Sequence, residues 1–306
     1  GVATTATYEA RAFGVHSGIG LMKAAALAPE AILLPADFEE YSKYSRLFKA
    51  AVATIAPVIE DRGIDEIYMD LTDVPGESVT LATEIKQRVR DATGLSCSIG
   101  ITPNKLLSKL ASELQKPNGI TVLTHADVPT RIWPLATRKV NGIGPRASDK
   151  LEALSIRTVG DIANADPSML IEQFGKSYGR WLHEAAHGRD DRPVVTEREA
   201  KSISRETTFE RDLHPKRDRE ALSVVLLHLC TRVAEDLVRK GVVGKTIGIK
   251  LRYEDFKTVT RDFTLPAAVA DAEAIRAAAR ECLTRADLDR RTRLLGVRVG
   301  TLLRPG

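Results

Sequence analysis

The spacing of apolar and polar residues changes period several times along the chain, and each change marks an element. Residues 21–28, LMKAAALA, are a strong helix-forming run. The apolar AILLP that follows Pro29 predicts a short strand ending at Pro35. In DFEEYSKYSRLFKAAVATIAPVIE, residues 37–60, Tyr41, Tyr44, Leu47, Phe48, Val52 and Ile55 share a helical face. Asp37 caps that helix, with Glu40 three residues on. In GIDEIYMD, residues 63–70, the period drops to two: Ile67, Met69 and Leu71 alternate with Tyr68, Asp70 and Thr72, as on a half-buried strand. VTLATEIKQRVRDATG returns to helical spacing through Leu81, Ile85 and Val89, with Gly94 as its stop. LSCSIGI, residues 95–101, predicts a small strand, and residues 102–123 predict a helix, a Pro117-Asn118-Gly119 turn and a strand. This order gives a mixed α/β or α+β layer.

A different segment begins near Ala126. KVNGIGPRASDKLEALSIRTVGDIANADP, residues 139–167, places Gly142 and Gly144 around Ile143 with helices on either side, the second carrying Leu151 and Leu154 and a third starting at Thr158. FGKSYGRWLHEAAHG adds an amphipathic helix with Phe174, Tyr178 and Trp181 towards the core. His183 and His187 lie four apart on it and read as surface histidines. Residues 188–202 are charged, hold Pro193 and lack an apolar period, so they read as a linker. Beyond them come a strand, a helix from about 216 to 240, a pair of strands, a helix across 271–285 and a last strand: an α+β domain with an antiparallel sheet.

Charge sharpens this division. The net charge is +4, but residues 200–306 carry 22 Lys+Arg against 15 Asp+Glu, a net of +7, and the remainder carries 23 against 26. A basic last third suggests a polyanion partner. At 306 residues the chain is long enough for more than one core, and no run approaches the length of a membrane span. Cys97, Cys230 and Cys282 have no metal-ligand spacing and read as reduced thiols of a cytoplasmic protein.

The candidate chemistry centres on Asp65 and Glu66. An Asp-Glu pair beside a turn is ordinarily a solvated strand end. Here Gly63 permits a tight turn that would let both carboxylates reach one site, as a hard divalent cation requires. Two such ions together clamp the attacking and leaving oxygens of a phosphoryl transfer. Tyr8 and Arg11, three apart on a short helix, offer a hydroxyl and a planar fork of donors to a phosphate. Lys105, Lys109 and Lys116 read as a solvated basic face, with Lys116, fixed by the turn at its end, the best point-charge contact. The Gly142-Ile143-Gly144 turn exposes backbone N–H groups that can hold a phosphate oxygen without reading a base. In the last domain Ser202, Ser204, Glu206, Lys250 and Arg252 alternate with apolar residues, giving a polar, cationic face suited to a sequence-blind grip on a phosphate backbone.

Taken in order, YEARAFGVHSG, LPADFEEYSKYS, GIDEIYMDLT, SIGITPNKLLSKLASELQKPNGI, VNGIGPRASDKLEALSIRTVGDIA and KSISRETTFE resemble the motifs of the Y-family DNA polymerases, and within them the DinB group. The resemblance covers essentially the whole chain. It implies an α+β right-hand architecture: fingers at 1–38, palm at 39–125, a helix-hairpin-helix thumb at 126–188, a linker at 189–199, and a little finger at 200–306 with a four-stranded antiparallel sheet. By the same resemblance Asp65 and Glu66 are the catalytic and metal-binding acids for two Mg²⁺ ions. Thr5, Tyr8, Arg11 and Lys116 match the contacts to the incoming triphosphate. Gly142 and Gly144 match the thumb's contact with the duplex backbone, and Ser202, Ser204, Arg205 and Thr207 the strand that grips the template, beside Lys250 and Arg252.

The function so implied is low-fidelity, template-directed synthesis past damaged bases. A short fingers region rich in small residues (Gly14, Gly18, Gly20, Ala24, Ala25, Ala26) fits it, since discrimination needs close contacts that clash with the wrong substrate. Primer-template DNA and deoxynucleoside triphosphates are the expected partners, with a sliding clamp as a further candidate, and the expected form is a monomer free of membranes. In the family the first palm strand carries another metal-binding Asp and an aromatic residue that excludes the ribose 2′-hydroxyl. The sequence here starts after that strand, and a molecule of this sequence alone is expected to bind primer-template DNA but extend it poorly. A non-catalytic DNA-binding protein, using the hairpin and the basic last domain, is the alternative.

Overall fold

The computed structural model describes residues 1–305 and divides into two compact units, Gly1–Glu197 and Arg198–Gly306. The first unit opens with two short helices, α1 (Tyr8–Ala12) and α2 (Leu21–Leu27), around a small core of Val15, Ile19 and Ala28 packed by Ala3, Ala6, Ala10 and Ala24. The predicted strand at AILLP does not form: Ile32, Leu33 and Leu34 are 87, 72 and 77% exposed. A strand needs a neighbour to take its backbone hydrogen bonds, and no strand among the described residues pairs with this run.

Helix α3 (Phe38–Ala53) starts as expected, with the Asp37 carboxylate accepting the Glu40 N–H at 3.1 Å. It ends earlier than its apolar spacing suggests. After Pro57, Val58–Asp61 form β1, which pairs antiparallel with β2 (Ile67–Asp70) in the register Val58↔Asp70 to Asp61↔Ile67. β-branched Val58 and Ile59 suit a strand, and the antiparallel partner supplies the bonds that a longer helix would have made. Helix α4 (Ser78–Thr93) is capped by Glu77 and stopped by Gly94 in the left-handed conformation. It buries Leu81, Ala82, Ile85 and Val89. Ile85 and Val89 join Val52 and Ala56 in a core against which Ile59, Ile67, Met69 and Ile99 pack. At about 1.5–3 kcal/mol per buried aliphatic side chain, these contacts fix the β1–β2 hairpin on the helix pair.

Strand β3 (Ile99–Ile101) lies parallel to β4 (Ile120–Val122), joined through α5 (Lys105–Leu114). The helix sits close on its strand: a Cβ added at Gly100 would lie 2.4 Å from the Ser108 carbonyl oxygen, so a side chain there would lift α5 away. The rest of this unit is helical: α6 (Pro145–Ala153), α7 (Val159–Asn164), α8 (Pro167–Phe174) and α9 (Lys176–Ala186), around Leu151, Val159, Ile162, Leu170 and Leu182. His187 is half-buried edge-on to Trp133 rather than a surface residue, and burial lowers its pKa below the ordinary histidine range.

In the second unit β5 (Ser202–Leu213), α10 (Arg219–Lys240), β6 (Val243–Tyr253), β7 (Thr258–Val269), α11 (Ala272–Leu283) and β8 (Thr292–Leu303) follow the predicted order. The four strands make one antiparallel sheet in the order β5-β8-β6-β7. Ile203, Ile247, Ile249, Leu251, Leu295, Val297 and Val299 pack on both helices, leaving the opposite face open. Among the described residues no helix is long and apolar enough to cross a membrane.

Candidate active site

The five residues between β1 and β2 carry the acid pair. Asp61, at the end of β1, accepts the Gly63 N–H at 3.0 Å, and Gly63 adopts φ 152°, which a side chain resists. The Arg62 N–H donates to the Glu66 carbonyl at 3.1 Å and closes the turn. From α3, Lys49 reaches both Asp61 oxygens at 3.0 and 2.9 Å and the Gly63 carbonyl at 2.6 Å. That ammonium holds the Asp61 carboxyl below its usual range. The turn presents Asp65 exposed and Glu66 half-buried, side by side.

Glu66 is not free. Lys109 of α5 donates to both of its carboxylate oxygens at 2.6 Å. One turn earlier Lys105 lies 2.6 Å from Glu60 of β1, in an ion pair whose side chains are 7 and 0% exposed. The expectation of a solvated basic face therefore fails for Lys105, and Lys109 is a half-buried partner of the acid pair. Sequence spacing shows that Lys105 and Lys109 share a helical face; it does not show that an acid waits on each arm of the hairpin. Lys116, just beyond α5, pairs with Glu113 at 2.8 Å and stays partly exposed beside the turn.

The two carboxylates are hard oxygen donors, the chemistry that suits Mg²⁺ when substrate oxygens complete its shell. Among the described residues no group of three or more His, Cys, Asp or Glu side chains forms a metal-binding cluster. The pair fits the ion as a partial ligand set shared with phosphate oxygens.

Near the start of the chain, Thr5, Tyr8 and Arg11 come together. Arg11 donates through Nε to the Ala6 carbonyl at 2.9 Å and through Nη2 to the Thr5 hydroxyl at 3.4 Å, with its guanidinium 4.8 Å from the Tyr8 ring centroid. All three are exposed. This pre-set fork, with two hydroxyls around it, is shaped for phosphate oxygens.

In the helical segment Gly142 adopts φ 107° and leaves room for Trp181; a Cβ there would lie 2.5 Å from the indole Cη2. The Tyr178 hydroxyl donates to the Gly142 carbonyl at 2.7 Å, and Tyr178 stacks on Trp181. Gly144, open to solvent, is the N-cap of α6 with no side chain covering the first helical N–H groups. The turn is thus held from below by an aromatic pair; the Ile143 N–H is spent on the Val140 carbonyl at 3.0 Å, and no side chain caps the start of α6.

On the sheet of the second unit, strand parity separates the predicted contacts. Ser202 and Ser204 stand on the open face with Lys250, which pairs with Glu206 at 2.8 Å, and Arg252, which donates to the Thr258 hydroxyl at 3.0 Å. A shallow depression of about 280 Å³ on this face is bordered by Ser204, Glu206, Gly248, Lys250, Asp262 and Arg298. Arg205 and Thr207 have the parity of buried Ile203, and Arg205 is turned to the helix side, where it grips buried Asp236 of α10 at 2.6 and 3.0 Å. The residue that sequence reasoning missed is Arg298, exposed and directly opposite Ser204 in the ladder. Its signal was the alternation in LLGVRVGTLL, where Arg298 is the charged position between Val297 and Val299.

Three family descriptions match: impB/mucB/samB family over residues 1–113, DNA polymerase-iota thumb domain over 138–190, and impB/mucB/samB family C-terminal domain over 200–306. A DNA polymerase IV of Methanoculleus marisnigri is 39% identical over 99% of this chain and 83% of its own length. One of Streptomyces coelicolor is 38% identical over 99% of this chain and 64% of its own length. Among solved structures, the Y-family DNA polymerase chimera Dbh-Dpo4(243-245)-Dbh is 26% identical with a TM-score of 0.85, covering 100% of this chain and 88% of that one. The insertion ternary complex of Dbh DNA polymerase is also 26% identical, with a TM-score of 0.68 over 99% of this chain and 88% of that one.

Proposed function

This chain belongs to the Y family of DNA-directed DNA polymerases, and from that premise we propose that it adds deoxynucleotides to a primer end opposite damaged templates, with Asp65 and Glu66 as its catalytic acids. The observation that carries the reading is the Asp65–Glu66 turn: two adjacent carboxylates at a strand mouth, with Lys49 on the turn and Lys109 on Glu66. Asp65 and Glu66 would hold Mg²⁺, which when bound supplies charge neutralisation at the attacking and leaving oxygens. Lys109 keeps the Glu66 carboxylate in one orientation, so little reorganisation is needed when the primer end arrives. Thr5, Tyr8 and Arg11 bind the triphosphate, with Lys116 released from Glu113 to join them.

The domain reading follows the same lines, with fingers at 1–38, palm at 39–125, thumb at 126–188 and little finger at 200–306. The Gly142–Gly144 turn, uncapped by any side chain at the start of α6, takes the duplex backbone. The open sheet face, through Ser202, Ser204, Lys250, Arg252 and Arg298, takes the template. Glycines 248, 296 and 300 on that face make room for the Asp262, Lys250 and Arg298 side chains that lie over them. Arg205 serves this face from behind, by fixing β5 to α10. The Gly- and Ala-rich fingers segment (Gly14, Gly18, Gly20, Ala24, Ala25, Ala26) offers few contacts able to reject a distorted base pair.

Primer extension with Mg²⁺ tests the reading. In a chain that carries the family's leading palm strand, Asp65→Asn should abolish metal-dependent extension while binding of primer-template DNA, measured by anisotropy, stays within about twofold, because the DNA grip is carried by backbone contacts elsewhere. Extension undiminished by that substitution would refute the assignment.

A further inference from the structure

The segment after α9, Gly188–Val195, has the composition of a free linker and forms no regular element, yet it is bonded to the first unit at four points. The Gly188 carbonyl accepts from Asn104 Nδ2 at 2.8 Å, and Asp190 Oδ2 accepts the Leu106 N–H at 3.0 Å. The Pro193 carbonyl accepts from Lys105 Nζ at 3.0 Å, and the Val195 N–H donates to Glu60 Oε2 at 3.0 Å. Arg192 folds back on Asp190 with two bonds of 2.8 Å. A strap therefore runs across the N-terminal end of α5 and onto β1.

Its last two contacts complete the buried Glu60–Lys105 pair. Taking two charges out of water is costly, and their attraction offsets it only where the remaining donors and acceptors are also satisfied. Here the partners beyond the pair itself include the strap's own backbone, Arg62 at 3.3 Å from Glu60 Oε1, and the Tyr68 ring 5.3 Å from Lys105 Nζ. Glu60 sits directly across the ladder from Tyr68, two residues past Glu66, and Lys105 is one helical turn from the lysine that grips Glu66. Strap, α5 and both arms of the hairpin thus share one set of bonds. If the strap lifts, the buried pair loses two partners, and the hairpin must open towards water to recover them.

We propose that the strap positions the Asp65–Glu66 turn for the reaction, with Glu60 as its positioning residue. Glu60 acts through β1 and does not itself touch substrate. The inference rests on the reading of Asp65 and Glu66 as catalytic, and it makes the segment leaving the helical part of this unit a support of the catalytic hairpin instead of a passive tether.

The test uses the full chain. Asp190→Ala frees the strap at its contact with the start of α5 without stranding a buried charge. Asp190→Asn keeps an acceptor for the Leu106 N–H and should rescue. Glu60→Gln weakens the pair at its centre. Hydrogen exchange at residues 62–68 should quicken roughly tenfold in Asp190→Ala and Glu60→Gln, with α10 of the second unit unchanged. In single-nucleotide insertion kcat should fall about tenfold with the KM for the deoxynucleotide within about twofold, the signature of a misplaced reacting group in an otherwise intact binding site. A strap that exchanges faster while residues 62–68 do not would overturn the proposal, and so would a loosened turn with unaltered kcat. Insertion that survives Asp65→Asn would instead overturn the catalytic reading, leaving the exchange result to decide the mechanical link alone.

Discussion

Gly142 and Gly144 are two residues apart in one turn, and the structure assigns them opposite sensitivities. At Gly142 an alanine meets two penalties. Its φ of 107° is one that L side chains resist, at about 1–2 kcal/mol for left-handed backbone. Its Cβ would lie 2.5 Å from Trp181 Cη2 and 2.8 Å from Cζ2, and the far edge of that indole is no flexible tail, because it stacks on Tyr178. Overpacking of this kind costs about 1–3 kcal/mol, so Gly142→Ala should destabilise the first unit by about 3 kcal/mol, a fall of about 100-fold in its folded-to-unfolded ratio. Gly144 has φ −80° and open space around it, so Gly144→Ala loses only a neutral N-cap and should cost less than about 1 kcal/mol. Both tryptophans, Trp133 and Trp181, lie in the first unit, so urea denaturation followed by indole fluorescence reports that unit alone. Anisotropy with duplex DNA should then show weaker binding for Gly142→Ala. Equal stability of the two variants would refute the argument that Trp181 and the backbone angle, and not glycine content, shape this turn.

The two faces of the second unit's sheet should respond differently. Arg298→Ala should leave thermal stability unchanged but reduce by about one the slope of log affinity for DNA against log salt, as one phosphate contact is lost. Arg205→Met should do the reverse, lowering the denaturation midpoint by about 2 kcal/mol of stability, because Asp236 is left buried with only Arg239 beside it. Arg205 holds the Asp236 carboxyl below its ordinary range. The stability this gives is complete above the unfolded-state value near 3.8 and is lost as pH falls through the lower folded value, so acid titration of the Arg205→Met unit should show a shallower decline than the parent below about pH 4. Burial pushes the Cys230 thiol up to about 11, so a thiol reagent at pH 8 should modify it only after the second unit unfolds.

Local periodicity made most elements legible, since α4, α5, α10 and the strands of the second unit carry their apolar residues at the spacing that burial requires. It misjudged two short runs for one reason. AILLP has the composition of a strand and Val58–Asp61 continues a helical spacing, but which of them becomes a strand depends on a neighbour supplied from elsewhere in the chain. The acid pair was legible because Gly63, Asp65 and Glu66 are adjacent in sequence. Its setting was not: Glu60 and Val195 are 135 positions apart, and the charged, proline-bearing composition of 188–195 signals only that the segment will not be helix or sheet. Arg205 shows a finer limit. The resemblance placed it with the template-gripping residues, whereas its parity with Ile203 already put it on the helix side of the sheet.

The open sheet face carries acids among its bases: Lys250 is paired with Glu206, and Asp262 lies across from Gly248 in the same depression. A phosphate arriving there must take Lys250 from a carboxylate that already holds it, so the contact gains only the difference between two ion pairs. Such an exchange is readily reversed as the backbone moves on. On the proposed reading of this face as the template grip, such an exchange favours brief occupancy of each backbone contact.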